Sequence, residues 1–149
     1  MDTQASFLTY LYEILTLDDD LVAACGGEVR LFPVWATPDA EFPYLVQRLD
    51  IRAADVFPLR QGTLIIDIWS YSPNMGEALD IRERLIGIID QLDFSTDEIS
   101  HCRISLETDG FIPEIEQGIW HYACQFGCRF YRVSEISAIL GRNNNYEYS

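Results

Sequence analysis

The chain has 149 residues, with 24 acidic and 10 basic side chains and a formal charge of −14, the size of one domain with at most a short appendage. Apolar residues make up 48% and aromatics 13%, enough to bury a core, which excludes a disordered acidic tail. Every basic residue is an arginine and none lies in a run that could neutralise successive phosphates, which argues against tight nucleic-acid binding; nor does any stretch approach the roughly 18 apolar residues of a membrane span.

In chain order, the start Met1-Asp2-Thr3-Gln4 lacks the basic region of a signal peptide, so a soluble protein assembled in the cytoplasm is expected. Residues 5–17 place Phe7, Leu8, Leu11, Ile14 and Leu15 at helical spacing, with Thr3 or Ser6 as N-cap. Asp18-Asp19-Asp20 then caps a short helix that Gly26-Gly27 stops. The triplet does not read as a calcium loop, because no glutamate follows at the distance such loops require.

Residues 29–32 predict a short strand and 33–43, with three prolines, a loop. A strand over 44–51 is followed by a long connection over 52–62. Next comes the strongest strand, 63–71, with Leu64, Ile66 and Ile68 on one face and Ile65, Asp67, Trp69 and Tyr71 on the other. Two strands joined by so long a connection predict a hairpin projecting beyond its sheet. Asn74 and Glu77 have the spacing of a capping box, opening a helix that runs to about Leu92. Its stripe of Ala78, Ile81, Leu85, Ile88, Ile89 and Leu92 would cover a sheet, and Asp80 and Arg84 are spaced for a weak surface pair.

Residues 101–107 alternate as a strand, 109–118 form an acidic, turn-rich loop, and 119–132 alternate again. In this last strand Trp120, Tyr122, Cys124, Phe126, Cys128 and Phe130 share one face and His121, Gln125, Arg129 and Tyr131 the other. Beyond the domain of residues 1–132, residues 133–149 carry an apolar patch at Ile136, Ile139 and Leu140, then Asn143-Asn144-Asn145 and two tyrosines. A mobile tail ordered by a neighbouring subunit is expected there. The order of elements predicts an α+β fold: a mainly antiparallel β-sheet with helices packed on one face and a long projecting hairpin loop.

Candidate chemistry is sparse. Cys25, Cys102, Cys124 and Cys128 read as reduced thiols in a chain that can build its core without staples. Cys124 and Cys128 would lie about 13 Å apart on one strand face, too far for one metal ion, so no metal site and no cofactor are expected. A catalytic reading would have to rest on Asp67, His101 or His121, yet no nucleophile elbow, phosphate loop or zinc-helix motif accompanies them. Asp67 reads as an outward carboxylate bonded to a cross-strand partner such as an arginine.

The succession of motifs carries more. An N-terminal helix leads to an acidic step and a Gly-Gly stop, then Phe32-Pro33 and Phe42-Pro43-Tyr44-Leu45-Val46. The strand Ile66-Asp67-Ile68-Trp69-Ser70-Tyr71-Ser72 runs into Glu77-Ala78-Leu79 and a helix ending Ile89-Asp90-Gln91-Leu92, and an aromatic strand closes with Phe130-Tyr131-Arg132. This order resembles the tail terminator and tail completion proteins of long-tailed bacteriophages and prophages. The resemblance implies a structural virion protein of the neck, not an enzyme. Such proteins form a ring, typically hexameric, that ends polymerisation of the tail tube and receives the head.

The implied partners are further copies of the chain, the tail tube protein and a head-closure or connector protein, with no membrane; DNA passes through without specific binding. A closed ring needs heterologous interfaces. Arg52, Asp55, Phe57, Pro58 and Arg60 in the predicted loop, with Ile136, Ile139 and Leu140 in the tail, are candidates for contacts to a subunit or the tube. Asp109, Glu114 and Glu116 are candidates for acids lining the channel, where they would repel phosphate. The alternative is another neck protein, a head-closure component or adaptor with a similar multimeric role.

Overall fold

The structure, a computed structural model, describes residues 1–147, with side chains to residue 141. The elements run α1 (Thr3–Thr16), α2 (Asp19–Ala24), β1 (Leu31–Pro33), β2 (Tyr44–Ala53), β3 (Leu59–Tyr71), α3 (Gly76–Ile89), β4 (Asp93–Phe94), β5 (Ile99–Ile112), β6 (Ile119–Arg132) and α4 (Val133–Glu147). One six-stranded sheet has the order β1-β2-β3-β6-β5-β4. Only β1 and β2 are parallel; every other pair is antiparallel. The expected α+β class with a mainly antiparallel sheet is the observed one.

Alternation decides the two faces. Leu45 and Leu49 of β2, Leu64, Ile66 and Ile68 of β3, and Cys124, Phe126 and Phe130 of β6 point to one side and are buried. Over them lie Phe7, Leu11 and Leu15 of α1, Leu21 of α2 and Ile81, Leu85 and Ile89 of α3, in one continuous core. Phe7 meets Phe94 edge-on at 5.5 Å between centroids. Each large side chain taken fully out of water there contributes about 1.5–3 kcal/mol, which holds the helices on this face.

The helix ends show which side chains are free for other work. Asp2, and not Thr3 or Ser6, caps α1 by accepting from the Ala5 N–H at 2.8 Å; Ser6 is buried and donates to Glu98 at 2.8 Å. Asp18 caps α2 as expected, accepting from the Leu21 N–H at 2.8 Å, and Gly26 and Gly27 close the turn at φ +81° and +118°. Arg84 does not take the expected surface pair with Asp80. It forks onto Asp18 at 2.9 and 2.6 Å, because the cap already fixes that carboxylate in place. No capping box opens α3: Glu77 accepts instead from buried Ser70 at 2.6 Å, and Asn74 from the Gly76 N–H.

Two loops are shorter than expected. The ladder between β2 and β3 continues through Arg52↔Gln61 to Ala53↔Arg60, so the predicted connection 52–62 is mostly strand around a turn at residues 54–58. β5 likewise pairs with β6 as far as Ile112↔His121, leaving a turn at 113–118. Both extensions are held by backbone hydrogen bonds, and their side chains lack apolar alternation. The expected tail is helical over Val133–Glu147, pinned by Arg60, which forks onto Glu135 at 3.0 and 2.6 Å. Tyr148 and Ser149 lie outside the described residues.

Candidate functional site

The sheet face away from α1, α2 and α3 is the surface with chemistry to offer. Strand register writes it out in rows. At one end Tyr44, Trp69 and His121 stand side by side on β2, β3 and β6; behind them come Val46, Asp67 and Ala123, then Arg48, Ile65 and Gln125. At the other end Arg52, Gln61, Arg129 and Arg103 form a row across β2, β3, β6 and β5.

The ring-bearing end is built around His121. Its imidazole stacks on Trp69 at 3.9 Å between centroids and 15° between planes, and Trp69 in turn stacks on Tyr44 at 6.2 Å. Nε2 lies 2.7 Å from Asp67 Oδ1 and Nδ1 lies 2.9 Å from Glu114 Oε1. A neutral imidazole has one donor, so two carboxylate acceptors are satisfied together only by the imidazolium. The side chain is 11% exposed, and this burial pushes its pKa down. The hydrogen bonds and charges of Asp67 and Glu114 outweigh burial, and the net shift is upward. The cation thus ties the turn 113–118 to the face of β3. Asp67 has the cross-strand partner expected of it, but that partner is a histidine and not an arginine.

The arginine end is the reverse case, with charge left unmatched. Arg52 and Arg129 there, and Arg48 midway along the face, have no carboxylate within ion-pair distance among the described residues; Arg52 donates to Thr63 at 2.9 Å. Arg103 and Arg129 are direct cross-strand neighbours, an arrangement that costs stability, and Arg103 reaches Gln91 at 2.9 Å and Asp93 at 3.6 Å. Between them is a depression of about 360 Å³, bordered also by Asp55 and Glu107.

The remaining candidates fall in separate places. Phe57 is exposed at the β2–β3 turn with Val56, and the Arg60 guanidinium lies over the Phe57 ring at 5.5 Å while holding Glu135. Asp55 sits beside them in the same turn, with Pro58 half-buried. Ile136 and Ile139 are half-buried on α4 and Leu140 is exposed. Asp109, Glu114 and Glu116 do not share a surface. Asp109 sits on the covered side, accepting from the Tyr122 hydroxyl and from Arg82 at 2.8 Å, and these two bonds hold its carboxyl below the usual range. Glu114 is held by His121, and Glu116 is exposed on the turn.

His101 is exposed at a strand irregularity with φ +53°, its Nδ1 2.6 Å from Ser100 Oγ. The four thiols are free and buried. Burial raises Cys25 to about 11 and Cys124 to about 12, and a hydrogen bond with Cys128, with burial behind it, pushes Cys102 up as well. None of these three is poised as a nucleophile at neutral pH. Among the described residues no cluster of His, Cys, Asp and Glu has the geometry to hold a metal ion.

No protein-family model matches the sequence, and no curated protein matches it. A solved structure does: a chain of the virion of a native gene transfer agent particle superposes with a TM-score of 0.66 at 14% identity, covering 80% of this chain and 90% of that one. At that identity the two share a fold.

Proposed function

We propose that the protein is a structural component of a phage-like virion. It acts as a tail terminator whose copies form a ring that caps the tail tube, ends its polymerisation and presents the head-docking surface. One observation carries this reading: the fold shared with a gene transfer agent virion chain over most of both chains. The resemblance of the sequence to tail terminators agrees with it.

The surface supports an assembling role. Exposed Val56 and Phe57 mark one end of the sheet, exposed Ile112 and Ile115 the other, and Leu140 stands out from α4. Apolar side chains at both ends of one small domain suit heterologous contacts. The turn 54–58 and the α4 patch meet a neighbouring subunit or the tube, a head-closure or connector protein sits on the far side, and the acid surplus lets DNA pass without adhering.

Because 52–62 is mostly paired strand, deleting it would break the sheet, and substitution is the cleaner test. Val56→Ser with Phe57→Ser, introduced in a particle-producing host, should give tails of uneven length or unjoined heads while the purified variant keeps the circular dichroism of the native protein. Normal tails on normal particles would refute the role. Density for the protein only on the head side of the joint would assign it to head closure instead.

A further inference from the structure

The connection from β1 to β2 leaves the sheet through a strained turn. The Trp35 N–H donates to the Pro33 carbonyl oxygen at 2.7 Å, so Val34 is the centre of a γ-turn, and its φ is +66°. That form of the turn is rare, and a β-branched residue reaches positive φ only under strain. Val34 is 50% exposed, so burial of its side chain does not offset the strain. The backbone is held instead by the Val34 N–H, which donates to the Gln47 carbonyl oxygen at 2.8 Å. The turn aims Trp35 outward, 78% exposed, whereas Trp69 and Trp120 are half-buried. Strain of this kind persists where the surroundings fix it, and it gathers at binding sites.

Trp35 borders a cleft of about 370 Å³ together with Pro38, Tyr44, Val46, Asp67 and Trp69. Beside it Phe42 and Tyr71, 5.9 Å apart between centroids, are both exposed. An exposed tryptophan at an aromatic cleft has the make-up of a binding hot spot. Asp67 supplies the polar group: Oδ1 takes His121 Nε2 at 2.7 Å, and Oδ2 has no hydrogen-bond partner among the described residues. Asp67 and Glu114 share the single positive charge of His121, which leaves one negative charge over. Asp39 and Glu116 are further exposed acids on the neighbouring loops. No arginine occurs in residues 31–47, 61–81 or 104–128, and the chain has no lysine. On this face Arg48 stands one row beyond Asp67, opposite Ile65, and is not within ion-pair distance of it.

We propose that this cleft binds an arginine side chain carried on an extended segment of a partner protein. The guanidinium lies on the open face of Trp35 and donates to Asp67 Oδ2, and an apolar neighbour of the arginine covers Phe42 and Tyr71. Charge selects this occupant: the cleft offers a partly matched carboxylate among acids, in a chain of charge −14, and so favours a cation and repels phosphate. Geometry selects arginine over lysine, since a guanidinium is planar, stacks on indole and sheds water more readily than an ammonium. The cleft lies at the opposite end of the sheet from the turn 54–58, and the assignment does not rest on the ring reading.

The test titrates the full-length protein, labelled with nitrogen-15, with the peptide acetyl-Leu-Arg-Leu-amide and with the same peptide carrying neutral citrulline for arginine. The indole N–H signal of Trp35 should shift and saturate with a Kd of about 1 mM or tighter, while that of Trp120, bonded to the Ser72 carbonyl oxygen, stays in place. The citrulline peptide should bind about tenfold or more weakly. Trp35→Ala should keep the native circular dichroism and melting temperature, since the side chain is exposed, yet lose about tenfold in affinity. Asp67→Asn also breaks the bond to His121, so His121→Phe is its control: the first should weaken binding, and the second, which frees Asp67 and removes a competing cation, should tighten it. Equal binding of the two peptides, no saturation at Trp35, or native affinity in Trp35→Ala would each overturn the assignment. Self-association that Trp35→Ala abolishes, in a protein that ignores the arginine peptide, would also overturn it by giving the cleft to a second copy.

Discussion

At the scale of single residues, His121 converts a surface turn into part of the sheet face. Trp69 holds the ring flat, and Asp67 and Glu114 each take one N–H, so the bond set is complete only with the proton in place. The folded-state pKa is raised above the ordinary 6.5. The proton is therefore bound more tightly in the folded chain, and its contribution to stability is fully present below 6.5 and lost as pH rises through the folded value. His121→Phe keeps the stack and removes both bonds. It should cost about 1.5–3 kcal/mol in urea unfolding just below pH 6.5, and the gap to the native chain should narrow as the pH is raised. A gap independent of pH would mean that the ring is held by packing alone. Asp67 stood out in the sequence as an acid on an aromatic strand face, but its partner did not. Finding it requires the Trp69↔His121 register, and register between strands separated in the chain by a helix and two further strands is not written in either one.

At the scale of elements, strand centres were legible and strand ends were not. β6 was expected over 119–132 and is observed as Ile119–Arg132, because its alternation is enforced by helices along its whole length. β3 spans the same levels as β6, from Leu59↔Tyr131 to Tyr71↔Ile119, but its first residues Arg60 and Gln61, like Arg52 and Ala53 at the end of β2, show no apolar alternation to read. For α4 the spacing of Ile136, Ile139 and Leu140 was helical all along, but too short a stripe to stand apart from a tail. The extended β2–β3 ladder also explains Gly62, which sits on the covered side where any Cβ would lie 2.7 Å from Cys128 Sγ, 3.1 Å from the Asp50 carbonyl oxygen and 3.2 Å from Leu49 Cδ1. Gly62→Ala should cost about 1–3 kcal/mol as overpacking, read by thermal unfolding. Gly87→Ala, on α3 with open space around it, should be neutral or stabilising by about 0.5–1 kcal/mol through backbone entropy. Equal losses at both sites would show that the hairpin is not packed as described.

At the scale of the whole molecule, the charge is a standing cost of the fold. Arg30, Arg60, Arg82, Arg84, Arg103 and Arg132 lie within ion-pair reach of carboxylates, which leaves most of the 24 acids to repel one another across a domain of 17.1 kDa. That repulsion acts over distances that salt screens, whereas the close pairs are screened less. Raising sodium chloride from about 0.01 M to about 0.15 M shortens the Debye length from about 30 Å to about 8 Å, so dilute monomer should become more heat-stable. A relief of about 1 kcal/mol would raise Tm by about 2–4 °C for a domain of this size. A fall in Tm over the same range would mean that the ion pairs outweigh the net charge. In that case Arg60–Glu135 and Arg84–Asp18, which tie α4 to β3 and α3 to the cap of α2, would be the contacts to remove next.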